Sequence, residues 1–200
     1  GQLYALGSNS RIYILNKTTG AASFVGALTT PLDGTNFGFD FNPVVDRIRI
    51  VSDTGQNLRV NPNDGSNVVD GNLAFAAGDR NQGARPNIVG AAYTNNFNGT
   101  TSTTLYDIDS NRDILVTQNP ANSGTLQTVG KLGVDTTGVV GFDISSATDT
   151  AYALLTVAGF EAFYTINLNT GAAVLVGLFT VSGITDIAVE VGTVSNYTVF

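Results

Sequence analysis

The chain has 200 residues, a formal net charge of −7, 42% hydrophobic residues and only 12% charged residues. This composition is typical of one globular domain rather than a disordered chain, and nine basic residues are too few for the clusters that bind nucleic acid. The absence of His and Cys excludes disulfides and removes the usual zinc and haem ligands and the usual general base. No run of eighteen apolar residues occurs, so the sequence predicts no membrane span.

The N-terminal residues Gln2-Leu3-Tyr4 already begin strand-like sequence, and the chain contains no Met. Its 20 Asn and 25 Thr residues are typical of surfaces exposed outside the cell. We therefore expect a secreted or cell-surface protein whose signal peptide has been removed, the alternative being a chain shortened at its N-terminus in another way.

A turn of the form Asn-x-x-x-Gly joins two strand-like segments and recurs along the chain. Asn bonds its own backbone and Gly supplies a positive φ, so this pattern predicts a tight hairpin. It occurs at 16–20, 61–65 and 167–171, and a longer version ends at Gly124. Three of these turns precede a strand with a Val-Gly pair, at Val25-Gly26, Val129-Gly130 and Val176-Gly177.

A second pair of strands precedes the hairpin in each later unit. In the second unit these strands are 37–41 and 47–51, in the third 88–94 and 103–108, and in the fourth 140–144 and 151–155. Four strands per unit of about fifty residues predict an all-β, four-bladed β-propeller. The alternatives are an open β-solenoid or a sandwich.

The first unit lacks its opening strand, because Leu3 to Leu6 already corresponds to a second strand. The segment Ile184 to Glu190 resembles the missing strand. We therefore expect it to lie beside Leu3 to Leu6, complete the first blade and close the ring, which removes exposed sheet edges. The predicted propeller domain spans residues 1–191, and a strand-like tail follows at 192–200.

The stretch FGFDFNPVVDRIRIVSDTGQNLRVNPNDG at 37–65 resembles a bacterial secreted family, the domain of unknown function 4394. The flanking LYAL and TGAASFVG segments are similar to that family as well, so the resemblance covers residues 2 to 190. It implies export and a propeller-like repeat. It supplies no established activity and no catalytic residues.

Three carboxylates occupy similar places on the predicted innermost strands: Asp40, Asp143 and Asp186. The third blade has Ala91-Ala92-Tyr93 instead. Three carboxylates near one axis could bind a hard cation such as calcium through oxygen ligands. The alternative is that each accepts hydrogen bonds from the backbone of a neighbouring blade, because buried carboxylates need partners.

The acidic run with Asp107, Asp109 and Asp113 superficially resembles a calcium loop, but Arg112 and Gln118 replace the required Gly and Glu, so we expect a plain β-turn. Sequons at Asn16, Asn98 and Asn196 are candidate glycosylation sites. An Asn- and Thr-rich chain also produces sequons by chance.

The tail from 192 to 200 alternates β-branched and aromatic residues with polar ones. A spare strand could pair with the exposed edge of a neighbouring copy through Tyr197, Val199 and Phe200, and a head-to-tail contact of this kind produces filaments. The alternative is that it packs against its own propeller.

The sequence contains no recognisable catalytic constellation, and Glu occurs only at Glu161 and Glu190. We therefore expect no enzyme and no cofactor, apart from a possible calcium ion. The predicted function is a secreted structural subunit that self-assembles into a filament, tube or surface layer. The alternative is a monomeric extracellular module that binds glycans or calcium.

Overall fold

The computed structural model describes residues 1–190, which form sixteen β-strands and one short 3-10 turn. The first sheet contains β1 (Leu3–Gly7), β2 (Arg11–Leu15) and β3 (Ala22–Ala27). The second sheet contains β4 (Phe37–Asn42), β5 (Arg47–Ser52), β6 (Asn57–Val60) and β7 (Asn67–Val69). The third sheet contains β8 (Ala74–Phe75), β9 (Ile88–Tyr93), β10 (Leu105–Asp109), β11 (Ile114–Gln118) and β12 (Thr125–Lys131). The fourth sheet contains β13 (Thr136–Ile144), β14 (Ala151–Val157), β15 (Phe160–Ile166) and β16 (Ala173–Leu178).

The four sheets are arranged as a four-bladed β-propeller, which confirms the predicted fold class. Consecutive strands within a blade pair in antiparallel fashion. The one parallel pair in the described strands joins β8 to the outer edge of β12. We did not predict β8, because a strand of only two residues leaves no period in the sequence.

The predicted turns have the local geometry that Asn and Gly favour. The Asn16 Oδ1 atom accepts hydrogen bonds from the backbone N–H groups of Thr18 and Thr19, and Asn167 forms the same pair of bonds in the fourth blade. The closing glycines Gly20 and Gly171 have φ values of 72° and 82°. These left-handed conformations cost Gly little, so the local sequence is sufficient to form each turn.

The Val-Gly pairs of three outer strands each coincide with an irregularity in strand pairing. The pairing register shifts by one residue at Val25 in β3, at Val129 in β12 and at Val176 in β16. A register shift of this kind bends the strand locally. The repeated Val-Gly pair therefore encodes the same bend in three blades.

The innermost strands β4, β9 and β13 follow one another around the axis and approach closely at glycines. A Cβ atom at Gly38 in β4 would lie 2.6 Å from the Ala91 Cβ in β9. A Cβ atom at Gly141 in β13 would lie 2.6 Å from the backbone nitrogen of Ile187. The segment 184–190 therefore occupies the fourth inner position, against β13.

The contact of this segment with β1 differs from the predicted pairing. Within residues 1–190 the first sheet has three strands, and 184–190 has no assigned strand. A cavity of about 650 Å³ is lined by residues of β1, β4, β9 and β13 together with Thr185 to Ala188. The segment bonds to the fourth blade, where the Asp143 Oδ2 atom accepts a 2.6 Å hydrogen bond from the Val189 N–H group, and Glu190 pairs with Lys17 in the turn of the first blade.

The buried apolar residues form three clusters, each between two successive blades. One joins the first and second blades around Ile12 and Ile50, one joins the second and third around Val51 and Leu126, and the largest joins the third and fourth. The described residues form no such cluster between the fourth and first blades. Three of the four borders are therefore packed as cores.

Candidate functional site

One glycine contact is repeated at the three packed borders. A Cβ atom at Gly26 would collide with the carbonyl oxygen of Asp64, the residue before the turn glycine of the next blade. Gly130 has the same relation to Thr170. At the second border, a Cβ atom at Gly71 would lie 2.7 Å from the carbonyl oxygen of Ser123. Each blade thus receives the turn of the following blade in a space that only glycine leaves open.

Hydrogen bonds accompany these contacts. The Ala173 N–H group donates to the carbonyl oxygen of Leu132 at 2.8 Å, and the Gly71 N–H group donates to the carbonyl oxygen of Asn122 at 3.0 Å. At the first border the Thr29 hydroxyl donates to the Asn67 Oδ1 atom at 2.8 Å. The outer rim of each packed border is therefore both close-packed and hydrogen-bonded.

The border between the fourth and first blades lacks this contact within residues 1–190. Among residues 1–190, no atom lies within 4 Å of a Cβ placed at Gly177 or at Gly20, the two glycines that would meet there. The turn glycines Gly65 and Gly171 are buried, whereas Gly20 is exposed. Val176, whose counterparts Val25 and Val129 pack against buried clusters, is 58% exposed.

The outer strand β16 is also more apolar than the outer strands of the first and third blades at positions that face solvent. Val174, Leu175 and Leu178 are 61%, 55% and 66% exposed. The residues at these positions of β12 are Gln127, Thr128 and Lys131. We call the surface formed by Val174 to Leu178 the open rim of the fourth blade. The sequence shows the Val176-Gly177 pair of this strand but does not show that the strand is left uncovered.

The inner carboxylates lie at the axis, as predicted, and each accepts backbone hydrogen bonds. The Asp40 Oδ2 atom accepts a 2.6 Å bond from the Tyr93 N–H group of the next blade, as Asp143 does from Val189. The Oδ1 atoms of Asp40, Asp143 and Asp186 each accept from the N–H group of the following residue. These are the partners that the structural alternative predicts for Asp40 and Asp143.

Burial raises the pKa of each inner carboxyl group. For Asp40, burial comes first and repulsion by Asp143 second, and the pKa rises well above its usual range. Desolvation within the cavity raises the pKa of Asp186 to about 6, although part of its surface remains exposed. No three His, Cys, Asp or Glu side chains in the described part of the chain are grouped closely enough to hold a metal ion. Calcium binding here stays a prediction.

A cavity of about 700 Å³ opens beside these carboxylates. Its lining combines aromatic rings with carboxylate and amide groups, and the Tyr4 and Phe41 rings meet edge to face at 5.0 Å. Cavities of this size that join apolar walls with a few polar groups are typical of small-molecule sites.

The acidic run of the third blade forms the turn between β10 and β11. The Asp109 carboxylate accepts hydrogen bonds from the Asn87 N–H group and from Arg112. Asp113 adopts a positive φ of 52° and accepts from the Thr136 N–H group. Asp107 is fully buried on β10, and neither of its carboxylate oxygens has a hydrogen-bond partner among the described residues.

A buried polar network between the second and third blades was not foreseen. Arg49, only 2% exposed, donates 2.7 Å hydrogen bonds to Asn57, Asp70 and Asn122. Arg59 donates two further bonds to Asp70. Buried charge needs such pairing. The alternating Arg47-Ile-Arg-Ile run signals a strand, but gives no sign that one Arg points into an interface.

The candidate glycosylation sites differ in what the structure describes. Asn16 and Asn98 are exposed, Asn16 in its turn and Asn98 in the loop between β9 and β10. Asn196 and the proposed assembly residues Tyr197, Val199 and Phe200 lie outside the described residues. Glycosylation and the role of the tail stay predictions.

The blade order and the repeated glycine contacts define a four-bladed β-propeller. A family model described as "Domain of unknown function (DUF4394)" matches residues 1–188. The chain belongs to this family, as the sequence resemblance indicated. No curated protein matches the chain by sequence. Within residues 1–190, no helix is long and apolar enough to span a membrane.

Proposed function

We propose that this chain is a secreted, non-enzymatic structural subunit that self-associates into an extracellular filament, tube or surface layer. The observation that carries the proposal is the open rim of the fourth blade, an uncharged outer strand with four exposed apolar side chains. Contiguous exposed apolar surface of this kind is typical of interaction sites.

The structure of β16 explains why it would attract another chain. The described residues pair only one of its edges, with β15. Natural edge strands are usually protected by charge, Pro or a covering element, and β12 has both Lys131 and the covering strand β8. The sequence AVLVGL of β16 contains neither charge nor Pro. Its free edge is therefore suited to strand addition.

The remaining chemistry of the chain supports a non-catalytic role. The Glu161 carboxylate accepts hydrogen bonds from the N–H groups of Gly183 and Ile184, and Glu190 pairs with Lys17. Glu161 thus binds the C-terminal segment, and Glu190, which lies within that segment, binds the turn of the first blade. We further propose that residues 192–200 of one copy add as a strand to the β16 edge of the next.

The experiment is electron microscopy and sedimentation of the full chain. We expect ordered polymers, and uniformly monodisperse particles of 20.8 kDa would contradict the proposal. Leu175→Lys should abolish the polymers, because it places a charge on the open rim. Val68→Lys is the matched control, since Val68 is an equally exposed residue of the outer strand β7, at 54%.

Deletion of residues 192–200 tests the tail separately. We expect the deleted chain to remain folded, by circular dichroism, and to lose assembly. Polymers of unchanged length and number would contradict the role of the tail while leaving self-association intact.

The axial cavity favours a second candidate, a monomeric module that binds glycan or calcium. Aromatic rings beside carboxylates suit either ligand, and the cavity has the volume of a small-molecule site. Calorimetric titration with calcium should then give heat that is lost in the double variant Asp40→Asn, Asp143→Asn. Equal heats from the two proteins would exclude the carboxylates as ligands.

A further inference from the structure

We infer that the open rim of the fourth blade receives the Asn16–Gly20 turn of a second copy of this chain. The inference rests on the proposed self-association and names a second contact, at the open rim and separate from the β16 edge to which the proposed tail strand would add. The contact would repeat, between two molecules, the contact that joins successive blades within one molecule.

The first step is that the three packed borders use one interaction. In each, a glycine in an outer strand or just after it faces the carbonyl group of the residue before the turn glycine of the next blade. The pairs are Gly26 with Asp64, Gly71 with Ser123, and Gly130 with Thr170. Different side chains surround the three contacts, so the shared backbone geometry defines the interaction.

The second step is that both halves of a fourth contact are present. Gly177 follows Val176 at the same register shift as Gly130 follows Val129. The Asn16–Gly20 turn has the same hydrogen bonds as the Asn167–Gly171 turn, which fills the space at Gly130. The counterpart of Thr170 is Thr19. One chain thus exposes both a turn like the one that fills the space at Gly130 and, at Gly177, a space of the same kind.

The third step is that the turn at the open rim comes from a second copy and not from the same chain. Within one chain, the first and fourth blades share no buried apolar cluster in residues 1–190, so this border remains a gap in the apolar core. The Lys17 side chain of the turn instead reaches Glu190. A second copy brings the turn to the open rim without closing this gap.

The consequence is directional growth. The turn of the first blade and the open rim of the fourth blade are different surfaces, so each copy would use one surface on each of two neighbours. A heterologous contact of this kind yields a closed ring or an open filament, according to its rotation. Apolar contacts from Val176 and Leu178 would add to the backbone fit.

Cysteine cross-linking tests the inference directly, because the natural chain has no Cys. Leu178→Cys and Ala21→Cys are made in separate full-length chains, mixed, and treated with a short bifunctional maleimide. The mixture should give a two-chain product that neither variant gives alone. Both positions are exposed, and their counterparts Lys131 and Ala172 flank the hydrogen bond from Ala173 to Leu132.

The matched control calibrates the geometry at a packed border. A single chain with Lys131→Cys and Ala172→Cys should cross-link internally under the same conditions, with a faster-migrating monomer band. If this control reacts and the mixture gives no two-chain product, the inference is wrong. A chain with both Leu178→Cys and Ala21→Cys that yields only an internal cross-link would also overturn it, since the ring would then close on itself.

A third variant separates this inference from the proposed function. Adding Gly177→Val to the Leu178→Cys chain should remove the two-chain product, because the new side chain fills the space for the turn. Polymers that persist in Gly177→Val would show that assembly uses another surface. A natural chain without polymers would contradict the proposed function itself.

Discussion

The border between the third and fourth blades and the border between the fourth and first blades use the same sequence elements, yet only one of them is packed. At the first of these borders, Gly130 faces Thr170 and the largest buried cluster lies beneath. At the second, Gly177 faces no atom within 4 Å in the described part of the chain, and Val176 is exposed. A repeated motif therefore specifies the shape of a contact and leaves open which molecule completes it.

The largest expected effect lies at a packed border that contains charge, between the second and third blades. Asp70→Asn should lower the free energy of unfolding by about 3–5 kcal/mol, because it leaves the buried Arg49 guanidinium without its carboxylate. Denaturant titration measures this loss. The control is Asp33→Asn, which alters an exposed carboxyl group and should change stability by less than about 0.5 kcal/mol. Equal stability of the two variants would show that the network does not secure this border.

The next largest effect on stability is expected at Gly130, in comparison with the equivalent Gly177 of the open rim. Gly130→Val should destabilise the fold by about 2–3 kcal/mol, because its side chain collides with the carbonyl group of Thr170. Gly177→Val should change stability by less than about 0.5 kcal/mol, because no atom of the described residues lies within 4 Å of the added Cβ. Thermal unfolding of both variants at a concentration below assembly provides the measurement. A large loss in Gly177→Val would mean that the fourth border closes within one chain.

The smallest expected effect is a difference between the two borders in how the stability of the fold depends on pH. Burial raises the pKa of Asp107 well above its usual 3.8, with the Arg49 charge opposing the rise. The folded protein then holds this proton more tightly than the unfolded chain. The corresponding stability is fully present below about pH 4 and is lost as the pH rises toward the raised pKa of the folded state. Asp107→Asn should therefore flatten the decline in stability above pH 4.

Asp186 provides the matched measurement at the other border. Its pKa of about 6 limits its contribution to the range between about pH 4 and pH 6, with the same sign. Asp186→Asn should thus flatten the decline in stability only within that range. Urea titrations at pH 4, 5, 6 and 7 compare the two variants. Identical slopes in both variants and the natural chain would contradict the assigned effect of burial.

Much of the fold could be predicted because its signals are local. The Asn-x-x-x-Gly turns, the alternating strands and the count of four strands per repeat depend on residues close together in the chain. The two-residue strand β8 and the loose contact of 184–190 with β1 could not be predicted in this way. Pairing of such segments depends on neighbours that are distant in sequence.

The candidate sites show the same difference between local signals, which could be predicted, and contacts distant in sequence, which could not. The periodicity placed Asp40, Asp143 and Asp186 at the axis, since equivalent positions of a repeat occupy equivalent positions around the ring. It could not foresee that Tyr93 and Val189 donate to two of them. The Arg49 network was also missed, because its partners Asp70 and Asn122 come from different blades.

The sequence alone determined the strands, the turns, the repeat and the family, because backbone conformation at Asn and Gly and the two-residue period of strands are local properties. Only the tertiary structure decided which outer strands are covered by a neighbouring blade. Val129 and Val176 stand in the same motif, yet one packs against a core and the other is exposed. Burial depends on the surface that arrives from elsewhere, and at the open rim of the fourth blade we propose that this surface belongs to another copy.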